Sequence, residues 1–493
     1  MLKERFDSSR AAFGGAAFLL IECSAVPLAS LLNLRTNLLG IAVPSAAALL
    51  LAWGLTALVR TQTKGVKFIA LTVLLISGAA AIRGVHLVWH GRFEALRAEL
   101  KQRGYPLSTA EFQEDFPDDR YAFPTLDKPF AEIQRQSFDR LKHPGLEAGP
   151  WSPETLKAES AAIEPYVREI ERTIVPGIEK YPRLFKIDYV NGARNPTAIP
   201  VPRLMNIILV AQILSLDAVS KTYRGDVKAA WANVRLVFAL DGWTSQSHTL
   251  IGQMISVALR RIAVKTVLNM QYKRPAARLP DDIAADLRRI LSDSRIADAL
   301  RAEVAKNLDM HDYLEKLSPD EFMKSYSESY LQDLSGYFYG FLRKMGSIDI
   351  AGLRFVPVWA IDDTWPNDWP KLKAREREAG AYALPIWVYS SDVGVLPRVP
   401  SFYQKEWEVK TWAQLALVAD AIDRYEDAHR GRVPPALDQL SPSAAPPDLL
   451  RDAFAGGPFH YAALSGGTGF ELSSVGPDGD GKDSHKDQLL IRR

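Results

Sequence analysis

The sequence predicts a mainly α protein: three membrane-spanning helices at the N-terminus, a soluble helical bundle, and a small α+β unit at the C-terminus. Three observations predict it. About the first ninety residues are strongly apolar, whereas the remainder reads as soluble protein. Residues 151–316 carry mostly the three-to-four-residue apolar spacing of amphipathic helices. The chain then ends in a strand-like run, FELSS, that breaks into alternating Gly and Asp. At 493 residues, two or three units are the natural expectation. The boundaries fall at 1–90 for the membrane region, 91–317 for the helical body, 318–405 for an aromatic and Pro-rich connector packed on it, and 406–493 for the α+β unit.

The spans come first. Residues 11–32, 38–59 and 67–89 are each long enough to cross about 30 Å of hydrocarbon as a helix. The third holds Arg83 and His86 near its end, where a long side chain can snorkel, and Trp89 suits the interface. Three spans joined by short loops are not a cleaved secretory signal. Lys3, Arg5 and Arg10 precede the first span and Arg60, Lys64 and Lys67 the third, while Arg35 alone lies between the first and second. The positive-inside rule therefore places the N-terminus in the cytoplasm and everything after Gly91 outside it, which in a bacterium is the periplasm. The lone cysteine, Cys23, lies in the first span and reads as a small hydrophobe; it excludes an intramolecular disulfide and a thiolate cluster. Glu22 beside it calls for a partner within the bundle, since a carboxylate is costly in lipid. The run FLLIE (Phe18–Glu22) after a basic leader also resembles the prepilin processing motif, with alanine where that motif has glycine and two further spans following.

The body is helical by pattern. SPETLKAESAAIEPYVREIERTI opens with Ser152, Pro153 and Glu154, an N-cap, a first-turn proline and an early acid. Residues 204–223 form a helix ending at Arg224-Gly225, after which Asp226 caps the next, a helix-hairpin signature. The Tyr223–Trp231 stretch resembles the turn of a tetratricopeptide-type hairpin, in one copy where arrays use about three. Residues 246–271 lay Ile251, Ile255, Ala258, Leu259 and Ile262 along one buried stripe.

Sixty basic against 58 acidic residues leave a formal net charge of +2, with no basic field or basic–aromatic run for nucleic acid to answer. The chain has no HExxH, GxSxG, phosphate-binding Gly loop or dinucleotide fingerprint, and no catalytic residue is assigned. In LDMHDYLE, His311 and Glu315 share a helix face beside Asp309 and Asp312, but two ligands do not make a metal site, and a solvated polar face is expected. The aromatic stretch 318–410 holds Trp359, Trp365, Trp369, Trp387 and Trp407, with Asp362, Asp363 and Asp368, which read as a packed aromatic layer or as a sugar-binding groove.

The α+β unit begins with a helix at about 406–429. A Pro-bearing spacer follows with Gly431, Pro434, Leu437 and Leu440, then Asp452, Phe454, Pro458, Phe459 and Tyr461, then Ser474, Gly476, Asp478 and Gly479. This order and spacing resembles the C-terminal part of the major pseudopilin of type II secretion, and a broad set of poorly characterised bacterial membrane proteins with the same tail. The resemblance covers roughly the last 90 residues, with Ala453 replacing the usual proline. It implies a small pilin-like fold closed by a loop that holds structural calcium, for which Gly/Asp runs supply carboxylates and carbonyls. Asp478 is the best-matched ligand and Asp487 stands at the downstream aspartate; Asp480 and Asp483 are further candidates from spacing alone. A plain solvated turn is the competing reading.

Three functions follow as expectations. The first is a membrane-anchored extracytoplasmic scaffold of the bacterial inner membrane with protein partners in the envelope. The second is a component of a type II secretion or type IV pilus-like assembly, and the third an envelope-polymer enzyme using the Trp/Asp connector.

Overall fold

The computed structural model describes residues 94–138, 153–194, 205–273, 278–317, 399–477 and 489–492, apart from a few single positions. The sequence-predicted spans and residues 318–398 of the connector lie outside them. Among the described residues no helix is long and apolar enough to cross a membrane. The chain is mainly helical, as expected, with one small sheet near its end.

Helix α1 (residues 94–102) is followed by a 3-10 turn, Thr109–Phe112, and by α2 (Phe123–Phe138), α3 (Pro153–Thr173) and the short α4 (Val175–Lys180) and α5 (Tyr189–Arg194). The body continues with α6 (Met205–Arg224), α7 (Val227–Thr244), α8 (Leu250–Lys273), α9 (Asp281–Ser292) and α10 (Arg295–Lys316). The last helix, α11 (Val399–Ala428), leads to strands β1 (His460–Ala463), β2 (Phe470–Ser474) and β3 (Leu489–Arg492).

The hairpin read from Gly225-Asp226 is there, and its local chemistry explains it. Gly225 takes φ +87°, a conformation that a Cβ would strain. Its N–H donates to Thr222 O at 3.0 Å and that of Asp226 to Lys221 O at 2.9 Å, the paired bonds that end a helix on an αL residue. The Asp226 carboxylate then accepts from Ala229 N at 3.3 Å and starts α7.

α8 corrects the single-stripe expectation. It packs against α6, α7, α10 and α11 at once, so burial extends over Ser256, Val257, Arg260, Ala263, Val264 and Val267. Ile251, expected inside, is 47% exposed, on the open side of a first turn whose Leu250, Gly252 and Gln253 are buried. One continuous core runs from Ala122 on α2 to Leu472 on β2.

α11 begins seven residues before the expected start. Pro400, which read as connector, falls in the first turn, where its missing N–H has no intrahelical partner to lose. The sheet is antiparallel in the order β1-β2-β3, with Tyr461 opposite Leu472 and Ser474 opposite Leu489.

Candidate functional site

The expected calcium ligands Asp478, Asp480, Asp483 and Asp487 lie outside the described residues, as do Asp362, Asp363 and Asp368. The pairing of Ser474 with Leu489 makes residues 475–488 the connection of a β-hairpin. Among the described residues no group of three or more His, Cys, Asp or Glu could hold a metal ion.

The spaced residues of the tail do converge. Asp452, 1% exposed, accepts from Phe454 N and Ser474 Oγ through Oδ1 and from Val475 N through Oδ2, each at 2.9 Å. One carboxylate thus ties the loop before β1 to the end of β2. Phe454 packs near Trp407 of α11, with ring centres 6.3 Å apart, and the Tyr461 hydroxyl donates to Pro434 O at 2.6 Å. Gly476 takes φ +75°, where the chain turns away from β2.

Within LDMHDYLE the solvated-face expectation is corrected at Asp309 and His311, while the side chain of Glu315 lies outside those described. Asp309 and His311 are 6% and 3% exposed. Asp309 accepts from Thr109 N at 2.7 Å and Thr109 Oγ1 at 2.6 Å, anchoring the 3-10 turn. Asp312 accepts two bonds from the Arg97 guanidinium at 3.0 and 2.8 Å. Burial pushes the Asp312 carboxyl up, but hydrogen bonds from His311 and Arg97 outweigh it and hold it well below the usual carboxylate range.

A buried ionic network joins α7, α8, the α9–α10 turn and α11. Arg260, 2% exposed, donates to Asp241 at 2.9 Å and to Asp293 at 3.1 Å, and Ser256 also bonds Asp241. Glu406 on α11 accepts from Ser294 Oγ at 3.0 Å and from the first N–H groups of α10, so it completes that helix's N-terminus from another element. Burial pushes the Glu406 carboxyl up and the Lys410 ammonium down, each partly offset by the other. The sequence offered one signal of this network, an arginine pair inside the apolar run SVALRRIAV.

A small recess, with room for about one water molecule, lies between the 3-10 turn, the α4–α5 segment and the α7–α8 turn. Phe112, Tyr121, Ile187, Tyr189 and Trp243 line it, with Glu114 and Arg183 among its polar groups. Gln113 positions one wall by accepting from Tyr189 N at 2.9 Å at the start of α5. Phe112 stacks on His248 at 4.7 Å, and the Tyr189 hydroxyl accepts from His248 N at 2.9 Å. Arg183 donates to Glu114 at 2.9 Å and lies over the Phe116 ring at 4.9 Å. Burial pushes the Tyr189 phenol up to about 12 and the His248 imidazole down, keeping both neutral at pH 7. The large hydrophobics exposed among the described residues are Val190 and Ile251. The first follows Tyr189 and the second lies three residues beyond His248. The Tyr121, Tyr189 and Trp243 side chains are themselves buried, so what the recess presents at its rim is the half-buried Phe112 and the Arg183–Glu114 pair. Sequence reasoning missed the recess because its walls come from three segments each more than fifty residues from the next.

No family model, curated protein or solved structure matches this chain.

Proposed function

We propose that the chain is a membrane-anchored extracytoplasmic scaffold of the bacterial inner membrane, which docks envelope protein partners at the Phe112–Tyr189–His248 recess. The observation that carries this reading is the pair Val190 and Ile251, the large hydrophobics exposed among the described residues, which follow Tyr189 and His248 in the chain by one and three residues. Large apolar residues exposed near one another mark interaction sites more than isolated ones do. The apolar first ninety residues and their positive-inside pattern support the anchor and its orientation.

The test is affinity purification from detergent of the tagged full chain beside its Val190→Asp and Ile251→Asp double variant. A partner recovered with the first and lost with the second, at equal yield of folded protein, bears the reading out. A partner set unchanged by the variant refutes docking at the recess.

A second reading, a component of a secretion or pilus-like assembly, has its own observation in favour. Asp452, Phe454, Tyr461 and Ser474, which carry the resemblance to the pseudopilin tail, share bonds or packing in one small sheet unit. Purification that brings down no secretion or pilus component sinks it. In either reading, calcium held by Asp478, Asp487 and their neighbours would serve the fold of the tail.

A further inference from the structure

We infer that the C-terminal end of α10, with the start of α1 beside it, is the face of the body that rests on the lipid headgroups, and that the β-sheet unit is held at the far end of α10. This rests on the membrane-anchored reading above and adds the orientation of the body to it.

The register of α1 on α10 carries the argument. Leu96 and Leu100 pack with Tyr105 on Val304 and Leu308 in an apolar cluster separate from the main core. Arg97 pairs with Asp312 at 2.8 Å, and Arg301 lies over the Tyr105 ring at 5.7 Å. Residues that fall in number on one helix thus meet residues that rise on the other, and the two run antiparallel. Extending that register sets Glu94 beside the last turn of α10. Trp89, the sequence-predicted interface anchor, is five residues from Glu94, so chain length alone keeps the two within about 18 Å. Met310 and Tyr313 pack against an apolar cluster of the protein itself, which leaves Lys316, exposed in the last turn, as the cation this end offers to headgroups.

The opposite end is fixed as firmly. Glu406 holds the first turn of α10 through Ser294 and Arg295, and the next residue, Trp407, packs near Phe454 of the sheet unit. From Arg295 to Lys316 a helix rises about 32 Å. The tail is therefore presented well off the surface, on a strut clamped at one end by Arg97–Asp312 and at the other by Glu406.

The single native cysteine makes a label practical. Full-length protein carrying Cys23→Ala receives Lys316→Cys or Ala455→Cys, both exposed positions, and an environment-sensitive fluorophore. Each is reconstituted into vesicles whose lipids bear headgroup nitroxides in both leaflets. The expected result is strong quenching at 316 and none at 455. Equal quenching, the reverse order, or no quenching at either site in protein that floats with the vesicles overturns the orientation. Protein that does not float with vesicles overturns the membrane reading itself, and the orientation with it.

Discussion

Replacing Asp452 by Asn should loosen β2 far more than its size suggests. The carboxylate offers only acceptors, and three donors use them: Phe454 N, Ser474 Oγ and Val475 N. An Asn side chain must aim its NH2 either at Val475 N–H or at Phe454 N–H, because those donors sit on different oxygens. The serine can rotate to accept; a backbone amide cannot. One buried N–H is then stranded at about 1–3 kcal/mol, and the remaining bonds lose their charge assistance, giving about 2–4 kcal/mol in all. Asp452→Ala strands all three donors and should cost about 4–6 kcal/mol, whereas Ser474→Ala leaves both carboxylate oxygens served but takes the acceptor from Gly476 N, at about 1–3 kcal/mol. Hydrogen exchange by mass spectrometry on the full chain reads this directly in the peptide covering Phe470–Ser474. At about 1.4 kcal/mol per tenfold, Asp452→Asn should speed exchange there by about thirtyfold to several hundredfold. Acceleration below about threefold would refute the three-donor argument.

Three further outcomes follow from the same geometry. Arg260→Met strands Asp241 in the core and should cost about 3–5 kcal/mol, read as a lower urea midpoint, while adding Asp241→Asn should restore part of it; an additive double variant would contradict the pairing. Arg430 holds φ +60° just past α11, so Arg430→Gly should raise stability by up to about 1 kcal/mol, and a lower midpoint would mean that its side chain matters more than its backbone. If the 475–488 connection holds calcium, the ion at a hundred times its Kd should stabilise the full chain by about 2.7 kcal/mol over chelator, and Asp478→Asn should abolish the gain. Equal melting in calcium and chelator leaves the solvated-turn reading.

What could be read from the sequence was what neighbouring residues decide. Gly225-Asp226 marks a helix hairpin because the αL turn and the cap are chosen within six residues. The order Asp452–Tyr461–Ser474 was visible as spacing, but nothing in it said that one carboxylate would serve three donors across 23 residues. Asp309 and His311 were misread because polar residues at helical spacing look solvated until a partner arrives, and Thr109 comes from 200 positions away. The Glu406 cap on α10 and the recess walls share that origin. Contacts between distant segments leave little local trace, and α8 read as one stripe because periodicity counts faces, not neighbours.

α11 bears on the choice between the two functions. In the sequence it reads as the leading helix of the α+β unit. Yet Ala413, Leu415, Ala416, Leu417, Val418, Ala419, Ala421 and Ile422 are all buried, and those positions circle the helix. α8, α9 and the sheet unit cover it together, and Gln271 of α8 donates to Ala416 O at 3.2 Å. Asp420 is drawn in as well, accepting from Leu279 N at 3.3 Å. From Leu415 to Asp423 the helix has no face left for a partner, and exposing one there would tear open the main core. Any partner of the tail must instead meet the sheet, where β1 is an edge strand whose His460, Ala462 and Ala463 are exposed. An assembly that joined subunits through the 415–423 stretch of this helix would have to open the core, whereas one that added a strand beside β1 would not.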